Sequence, residues 1–588
     1  MSSKSLPCTH FDTPEGRWTL ASEFTTEDAA NQFLPHIGRD SGADDLCLGA
    51  SGTETQPVSN GSSGMKFSAA SSAMASGGLM FADTSPQVSS RATSAVTASI
   101  PKSNLHMLAN RPTQVSIFRV AETTAIPPAG DTGVEGVSNS SPLGGGGRGH
   151  GFRQGRSYLS KAVLGSSSGA LQNLTGTPVV GTASSQSNGA SVHSKGIVTK
   201  STSTFVSRIV TNENLARWIV GDNQHSTYLM FNAPRCMAWV GLQPECSGET
   251  LARFDLVSNT PLCHDINQST RGENRLDMVM GFVHGNIIWY DPISGKYARL
   301  NKNSGYTPAI VCVRWIPGSG SLFMVGTDDG CVMIMDRTKE DFCVPALAHS
   351  NRRLTMDAFE VAGSLKPKCN PVAFWKLGGR PVTCIAFSPD GQRVAIGSED
   401  GGLRIVDYLN EILEDVYLSY FGGFTCCAWS EDGKYVVAGG KDDLITVWSF
   451  YDQTIVARCQ GHESWVRAIA FDPVGHEDES TYRFMSVADD AKLLVWDFSL
   501  AALHRPRAPL HRVEDVHLKG YDDGPSDIVH PRLPRAAVAV LQPLVAVAIH
   551  DSPICSLQFS QDLLVTACRR GIIKVWKRPA TFDLSSFI

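Results

Sequence analysis

The chain has 588 residues, 42% of them hydrophobic, which is enough for several domains or for one large repeat fold. Its formal net charge is −6, and residues 1–200 carry 14 Lys+Arg against 13 Asp+Glu, which leaves −7 for the rest. A mildly acidic folded part binds phosphate poorly, so we expect no nucleic-acid partner.

Targeting signals and disulfide patterns are not apparent. Residues 1–35 contain no apolar run of the kind that opens a secretory signal. The longest apolar run, 536–549, is too short for a bilayer and contains Pro543. The fifteen cysteines form no CxxC pair. Buried thiols in a reducing compartment fit this usage, so we expect a cytoplasmic or nuclear protein without a membrane partner.

Residues 1–203 differ in composition from the rest of the chain. The first 200 residues hold 33 Ser and 25 Gly, which predicts a mostly disordered N-terminal arm. Two segments within it are strand-like: HFDTPEGRWTL at 10–20 and TQVSIFRV at 113–120. Either could dock on the folded part. The alternative is that they are isolated apolar residues in a flexible arm.

A repeat begins near residue 204. Each copy consists of a strand, an Asp/Pro/Gly turn, a second strand, an Asp-rich turn and a third strand that ends near Trp-Asp. The three clearest copies lie at 382–408, 424–450 and 466–498. Weaker copies lie at 276–292, 311–337 and 554–578.

The spacing of the copies predicts the number of blades. The Trp-equivalent positions are spaced by 45, 71, 42, 48 and 80 residues, against about 40–45 for one four-stranded blade. The two long gaps indicate insertions at 338–375 and 499–545. A seventh blade is built from 205–210, 228–232 and 235–242. We therefore predict an all-β, seven-bladed WD-repeat β-propeller over 204–578, followed by a tail at 579–588. The Trp-equivalent residues are Tyr290, Met335, Val406, Trp448, Trp496 and Trp576.

Polar turn residues vary between copies. Thr327 with Asp329 fits a turn that hydrogen-bonds within its blade, as does Ser398 with Asp400. Ala488 occupies the Ser-type position of its copy, and His284 and Arg570 replace the turn Asp of theirs. Those blades are expected to depend on packing more than on polar contacts.

Catalytic motifs are weak. Ser167 in GSSSG and the glycines 144, 146 and 149 lie in Ser/Gly-rich sequence without the strand and helix that such motifs require. An Arg/Gly segment at 148–156 could contact RNA, although a flexible linker is favoured. Cys263-His264-Asp265 lacks a second cluster at metal-site spacing, which favours a buried structural turn. We predict no enzyme activity, no cofactor and no metal.

Two loops carry aromatic residues where polar ones would suffice for solubility. YFGG at 420–423 and GHESW at 461–465 each precede an inner strand, on neighbouring blades and on the same face. Aromatic anchors of this kind dominate many protein interfaces. The alternative is that both rings tuck under their own loops. The predicted partner-binding residues are Tyr420, Phe421, His462 and Trp465.

Several long segments outside the generic repeat resemble the CreC family, which includes WD-repeat protein 20 and the dystrophia myotonica WD-repeat protein. The most similar lie at 276–303, 314–324, 419–450 and 455–473. The segment at 10–20 is also similar, whereas most of 21–200 is not.

The resemblance implies a non-catalytic subunit that binds a ubiquitin-specific protease of the CreB type and raises its deubiquitinating activity. In fungi this activity is linked to carbon catabolite repression. The resemblance also allows for a second WD-repeat protein in the complex. It places Phe421 and Trp465 in segments that match the protease-contacting face of the family. The alternative is a general scaffold of another intracellular complex, such as a ubiquitin ligase or a chromatin assembly.

Overall fold

Antiparallel β-sheets make up nearly all of the regular structure in the described part of the computed structural model. These residues all fall in one structural unit, formed by 1–36 and 102–588. Among them, no helix combines the length and the hydropathy that a membrane crossing requires. The structure describes residues 8–26, 114–119, 159, 196–200, 205–213, 215, 219, 227–242, 250–257, 259–272, 275–301, 305–339, 341–343, 345–350, 354–364, 366–474, 480–501, 503 and 528–579.

Seven sheets form the blades of a propeller, and each blade runs from an inner to an outer strand. An N-terminal hairpin, β1 (His10–Thr13) and β2 (Gly16–Thr25), precedes blade 1 in the chain. Blade 1 has the spatial order β3-β6-β7-β8-β5-β4. Its strands are β3 (Val115–Arg119), β4 (Gly196–Lys200), β5 (Val206–Asn212), β6 (Thr227–Ala233), β7 (Cys236–Gly241) and β8 (Thr250–Leu256).

Blades 2 and 3 follow in the chain. Blade 2 consists of β9 (Pro261–Ile266), β10 (Met278–Phe282), β11 (Ile287–Asp291) and β12 (Lys296–Arg299). Blade 3 consists of β13 (Ile310–Trp315), β14 (Leu322–Thr327), β15 (Cys331–Asp336), β19 (Ala373–Lys376) and, at its edge, β17 (Glu360–Gly363). A small parallel pair, β16 (Asp341–Phe342) and β18 (Cys369–Asn370), and a 3-10 helix (Ala346–His349) lie in the insertion.

Blades 4 to 7 complete the ring. Blade 4 has β20 (Val382–Phe387), β21 (Arg393–Ser398), β22 (Gly402–Asp407) and β23 (Ile412–Leu418). Blade 5 has β24 (Phe424–Trp429), β25 (Tyr435–Gly440), β26 (Leu444–Ser449) and β27 (Thr454–Gln460). Blade 6 has β28 (Val466–Phe471), β29 (Tyr482–Ala488), β30 (Lys492–Phe498) and β33 (Val545–Ala548). Blade 7 has β34 (Ile554–Phe559), β35 (Leu563–Cys568), β36 (Ile572–Lys577) and then β2.

Burial within a blade explains why the ring is needed. The two middle strands of blade 5, β25 and β26, are buried at every position, whereas the outer strand β12 of blade 2 has no buried residue. A middle strand is covered on both faces only when a neighbouring blade packs on each side. The predicted all-β, seven-bladed propeller is confirmed, and the predicted Trp-equivalent residues all lie in the third strand from the centre.

The second strand of the chain closes the ring. Strand β2 pairs antiparallel with β36 and is the fourth strand of blade 7, and β3 is the inner strand of blade 1. The segments 10–20 and 113–120 therefore contribute strands to the propeller, which extends well before residue 204. The sequence predicts strand-like segments at these positions but not the blades that they join, because a short strand carries little information about its pairing partner.

The insertion after β30 returns along the outer edges of two earlier blades. We refer to residues 528–543 as the belt. Its strand β31 (Val529–His530) pairs parallel with β23, and β32 (Ala539–Leu541) pairs parallel with β27, with a 3-10 helix (Arg535–Ala537) between them. The chain then enters β33 and completes blade 6. The belt therefore covers the edges of blades 4 and 5.

Neighbouring blades lock together at the inner strands. A Cβ atom on Gly439 of blade 5 would lie 2.6 Å from Val466 Cγ1 of blade 6, and one on Gly397 of blade 4 would lie 3.3 Å from Phe424 Cβ of blade 5. We refer to these two positions as glycine sockets. The Thr383 hydroxyl donates to the carbonyl of Phe424 at 2.8 Å, and the Thr425 hydroxyl donates to that of Val466. Each socket thus fixes the first residue of the next inner strand.

Trp18 is central to ring closure, so Trp18→Ala is expected to destabilise the propeller. The ring is fully buried, stacks with Phe11 at 6.0 Å between centroids, and lies 4.8 Å from the guanidinium carbon of Arg578. Removing a buried Trp side chain typically costs about 3–5 kcal/mol. Urea unfolding measures the loss. Arg17→Ala is the control, because the Arg17–Asp12 ion pair is exposed and should leave the unfolding midpoint unchanged. Equal midpoints for both variants would contradict the assigned role of β2.

Two buried histidines make stability depend on pH. Burial lowers the pKa of both His264 and His550 from 6.5 to about 3, with smaller contributions from Arg314 and Lys574. Because these folded-state values lie below the ordinary value, the unfolded chain gains protons first as the pH falls below 6.5. The stability contributed by the neutral rings is complete above pH 6.5 and is lost as the pH falls towards 3.

Lowering the pH from 7 to 5 should therefore reduce the free energy of unfolding by about 2 kcal/mol per histidine. His264→Leu should show a smaller loss over this range, measured by urea unfolding at both pH values. If the wild-type protein and His264→Leu lost the same free energy of unfolding between pH 7 and pH 5, the assignment to His264 would be wrong.

Candidate partner-binding face

The two aromatic loops lie at the same end of neighbouring blades. Residues 419–423 connect the outer strand β23 to β24, and residues 461–465 connect β27 to β28. Connections from an outer strand to the next inner strand all lie on one face of a propeller, because every blade repeats the same up-and-down order. On this face Phe421 is 73% exposed, Tyr420 41% and Trp465 40%. The ring of Phe421 is thus not tucked under its loop.

The loop that carries Phe421 is held by a dense set of hydrogen bonds. The Ser419 hydroxyl donates to the Gly422 carbonyl at 2.5 Å, and the Ser419 amide donates to the Gly401 carbonyl at 2.9 Å. The Phe421 amide donates to Asp442 Oδ2 at 3.3 Å. Gly422 has a φ of +69°, which favours glycine. The loop ends at Phe424, which packs against Gly397 in a glycine socket. Phe421 therefore projects from a loop whose backbone is held in place.

Two cations hold the ring of Trp465. Lys441 Nζ lies 4.9 Å from the ring centroid, and the guanidinium carbon of Arg467 lies 5.2 Å from it. Each cation is paired in turn: Lys441 with Glu399 at 2.9 Å, and Arg467 with Asp489 through two hydrogen bonds. Cation–π contacts of this kind orient an aromatic ring that is still partly open to solvent. Trp465 is therefore presented in a defined orientation.

His462 has a different position from the three aromatic residues. It is 8% exposed, and Asp490 Oδ2 lies 2.9 Å from its Nδ1. Its Nε2 lies 2.7 Å from the Ser486 hydroxyl, which accepts a hydrogen bond from Trp496 Nε1 at 2.8 Å. We refer to Asp490, His462, Ser486 and Trp496 as the blade 6 tetrad. Both ring nitrogens of His462 are used inside the blade, so its side chain positions the loop and does not face a partner.

The tetrad also corrects the sequence expectation for blade 6. The sequence has Ala488 where blade 4 has Ser398, which predicts that blade 6 depends more on packing than on polar contacts. Ala488 does end β29 as Ser398 ends β21, but Ser486, two residues earlier in the strand, supplies a hydroxyl that faces His462. Residues two apart in a strand point to the same face, so blade 6 has a polar network that the residue at 488 does not reveal.

Blade 7 has an incomplete version of the tetrad. The His550 Nε2 and the Trp576 Nε1 lie 3.0 Å and 3.1 Å from the Thr566 hydroxyl. The position of Asp490 is occupied by Arg570, as the sequence indicated. The Nδ1 of His550 has no hydrogen-bond partner among the residues that the structure describes. This part of the prediction for blade 7 agrees with the structure.

The other candidate sites gain no support. Cys263, His264 and Asp265 lie in strand β9 and not in a turn. Asp265 accepts a hydrogen bond from the Trp315 amide at 2.8 Å, whereas neither ring nitrogen of His264 has a partner in the described part. In that part of the chain, no group of three potential ligands could hold a metal ion. Ser167, the glycines at 144–149 and the segment 148–156 lie outside the described residues.

The strand order and the blade 6 tetrad define the class of the protein as a WD-repeat β-propeller. The WD domain, G-beta repeat family matches residues 372–407, 418–449 and 453–497, which lie in blades 3 to 6. A relative, the UBP9-binding protein bun62 of Schizosaccharomyces pombe (strain 972 / ATCC 24843), is 32% identical over 409 residues, 64% of this chain and 75% of that protein. The chain therefore belongs to the WD-repeat family that includes bun62, in agreement with the resemblance to the CreC family.

Among solved structures, similarity is found to the computationally designed Ika8 protein and to a chain of the mitotic checkpoint complex. The first has a TM-score of 0.37 and 17% identity, and covers 60% of this chain and 80% of that chain. The second has a TM-score of 0.41 and 14% identity, and covers 60% and 87%. These scores are low, and the architecture is established by the strand pairing itself.

Ser486→Ala is expected to lower the free energy of unfolding by about 1–3 kcal/mol, because it leaves the Trp496 indole N–H and one His462 nitrogen buried without a partner. Urea unfolding tests this expectation. Ser486→Thr is the matched control, since blade 7 has Thr566 at the same position. If the Ala variant were as stable as the Thr variant, the tetrad would contribute nothing to blade 6.

Proposed function

We propose that this chain binds a ubiquitin-specific protease through the face that carries Tyr420, Phe421 and Trp465, and that binding raises the deubiquitinating activity of the protease. The relative bun62 is named as a UBP9-binding protein. The observation that carries the proposal is the pair of exposed aromatic rings on adjacent loops, with Phe421 73% and Trp465 40% exposed.

The physical argument rests on preorganisation. Binding usually costs free energy because side chains and loops must be ordered at the interface. Here the Phe421 loop is fixed by Ser419 and Asp442, and the Trp465 ring is fixed by Lys441 and Arg467. Little order therefore has to be gained on binding. Aromatic residues presented in this way supply a large share of the affinity of an interface.

The charges around Trp465 favour a specific partner over a generic apolar one. Lys441 and Arg467 contact the ring, and Glu399 and Asp489 form ion pairs with these cations. A partner must therefore combine an apolar group for the rings with polar groups that match both signs of charge. Complementary charges at the rim mainly determine specificity and association rate.

Activation would operate through conformational preference. The propeller needs no chemistry of its own if it binds the active arrangement of the protease more tightly than the inactive one. A tenfold rise in the active population requires about 1.4 kcal/mol of differential affinity. A CreB-like protease, a second WD-repeat protein in the complex, and a cytoplasmic or nuclear location are parts of this proposal.

The combined variant Phe421→Ala, Trp465→Ala tests the binding face. Loss of an interface anchor costs about 2 kcal/mol or more, which corresponds to about thirtyfold in Kd for each ring. We expect co-purification of the protease to be abolished and the unfolding midpoint to be unchanged. Tyr451→Ala is the matched control, because Tyr451 is 72% exposed but lies in the turn between β26 and β27, on the opposite face.

Unchanged protease binding by the double variant would refute the assigned face. A purified complex that contains a ubiquitin ligase or chromatin subunits, and no ubiquitin-specific protease, would favour the general-scaffold alternative. Mass spectrometry after affinity purification distinguishes these outcomes. Activation is tested separately, by the hydrolysis rate of a fluorogenic ubiquitin substrate with and without the propeller.

A further inference from the structure

The belt pairs with the two outer strands that lead into the aromatic loops. Strand β31 pairs with β23, which ends at Leu418, one residue before the loop 419–423. Strand β32 pairs with β27, which ends at Gln460, one residue before the loop 461–465. The same insertion thus supports the base of both loops on the proposed binding face.

The first contact of the belt lies below the Phe421 loop. His530 stacks on Tyr417 with 4.7 Å between ring centroids, and Tyr417 stacks in turn on Trp448 at 5.5 Å. The His530 Nε2 also lies 2.7 Å from Asp415 Oδ1, a buried carboxylate in β23. The belt is therefore attached to β23 by side chains as well as by its backbone.

The second contact joins the belt to Tyr420 itself. Arg458 in β27 is only 3% exposed, and its Nη2 donates to the carbonyl of Leu533 at 2.8 Å. The guanidinium carbon of the same residue lies 4.8 Å from the centroid of the Tyr420 ring. One buried cation thus connects the belt to the residue that precedes Phe421. A guanidinium suits this role because it hydrogen-bonds in its plane and stacks through its face.

The third contact lies at the start of the Trp465 loop. A Cβ atom on Gly461 would lie 2.9 Å from Pro543 Cγ, so the proline ring of the belt packs directly on the Gly461 backbone. Gly461 precedes His462 of the blade 6 tetrad. The belt therefore contacts each aromatic loop near its N-terminal end, opposite the end that the glycine socket fixes.

We propose that the belt positions the aromatic loops for partner binding, and that Arg458 is the main positioning residue. This inference rests on the proposed function, because it assumes that the loops are the binding face. In a purely protective role the belt would only cover the edges of β23 and β27, which suppresses aggregation. Such a role does not require the contact between Arg458 and Tyr420.

Arg458→Met tests the positioning role. The substitution keeps much of the buried volume but removes the hydrogen bond to Leu533 and the cation over Tyr420. We expect faster amide hydrogen exchange at 419–423 in the free propeller, and about tenfold weaker binding of the protease, mainly through faster dissociation. His530→Ala, which releases the belt from Asp415 without contacting Tyr420, should give a smaller effect of the same kind.

Arg393→Met is the matched control. The Arg393 guanidinium carbon also lies 4.8 Å from an aromatic ring, that of Phe450, but on the opposite face of the propeller. Its removal should leave both the exchange at 419–423 and the binding unchanged.

The outcomes separate the two proposals. Unchanged exchange at 419–423 in Arg458→Met and in His530→Ala would overturn the positioning role. Faster exchange together with weaker binding would support it, provided that the Arg393→Met control is unaffected. If exchange accelerates but neither Arg458→Met nor the Phe421, Trp465 double variant weakens binding, the belt does support the loops and the proposed binding face is overturned.

Discussion

The contact between neighbouring inner strands determines the geometry of the whole propeller face. Phe424 and Val466, which fill the glycine sockets, are also the residues that directly follow the two aromatic loops. The packing that joins blade 4 to blade 5, and blade 5 to blade 6, therefore fixes where each loop ends. Since a Cβ atom on Gly439 would lie 2.6 Å from Val466 Cγ1, only glycine allows the two strands to approach this closely. Core packing consequently sets the distance between the C-terminal ends of the two loops, from which Phe421 and Trp465 project.

The sequence predicts the propeller well where each copy of the repeat is nearly complete. Blades 4, 5 and 6 are evident because their turns and Trp-equivalent residues keep regular spacing. Ring closure is harder to predict, because β2 and β36 are paired across more than 540 residues and share no sequence signal. The belt is also not predictable, since a parallel edge pair such as β32 with β27 involves only three residues. Short pairings are stabilised by tertiary context, which local propensity does not report.

The candidate site also contains residues that the sequence reveals and residues that it does not. Phe421 and Trp465 stand out in the sequence because aromatic residues in loops are unusual on a solvated face. Their supports do not stand out: Lys441 comes from the turn of another strand, and Arg458 approaches Tyr420 from the next blade. The place of His462 in the loop predicts a partner contact, but both nitrogens of its ring form contacts inside blade 6. Loop position alone does not indicate whether a side chain faces solvent or the core.

Closure by an N-terminal strand has a consequence for biosynthesis. Thr25 of β2 pairs with Ile572 of β36, so one half of this sheet leaves the ribosome long before the other. At about 5–20 residues per second, the delay is on the order of half a minute to two minutes. Throughout that interval β2 is paired with β1, but its other edge, which later pairs with β36, has no partner in its own chain. Neighbouring nascent chains therefore present complementary edges to one another, which allows the N-terminal hairpin to be exchanged between chains.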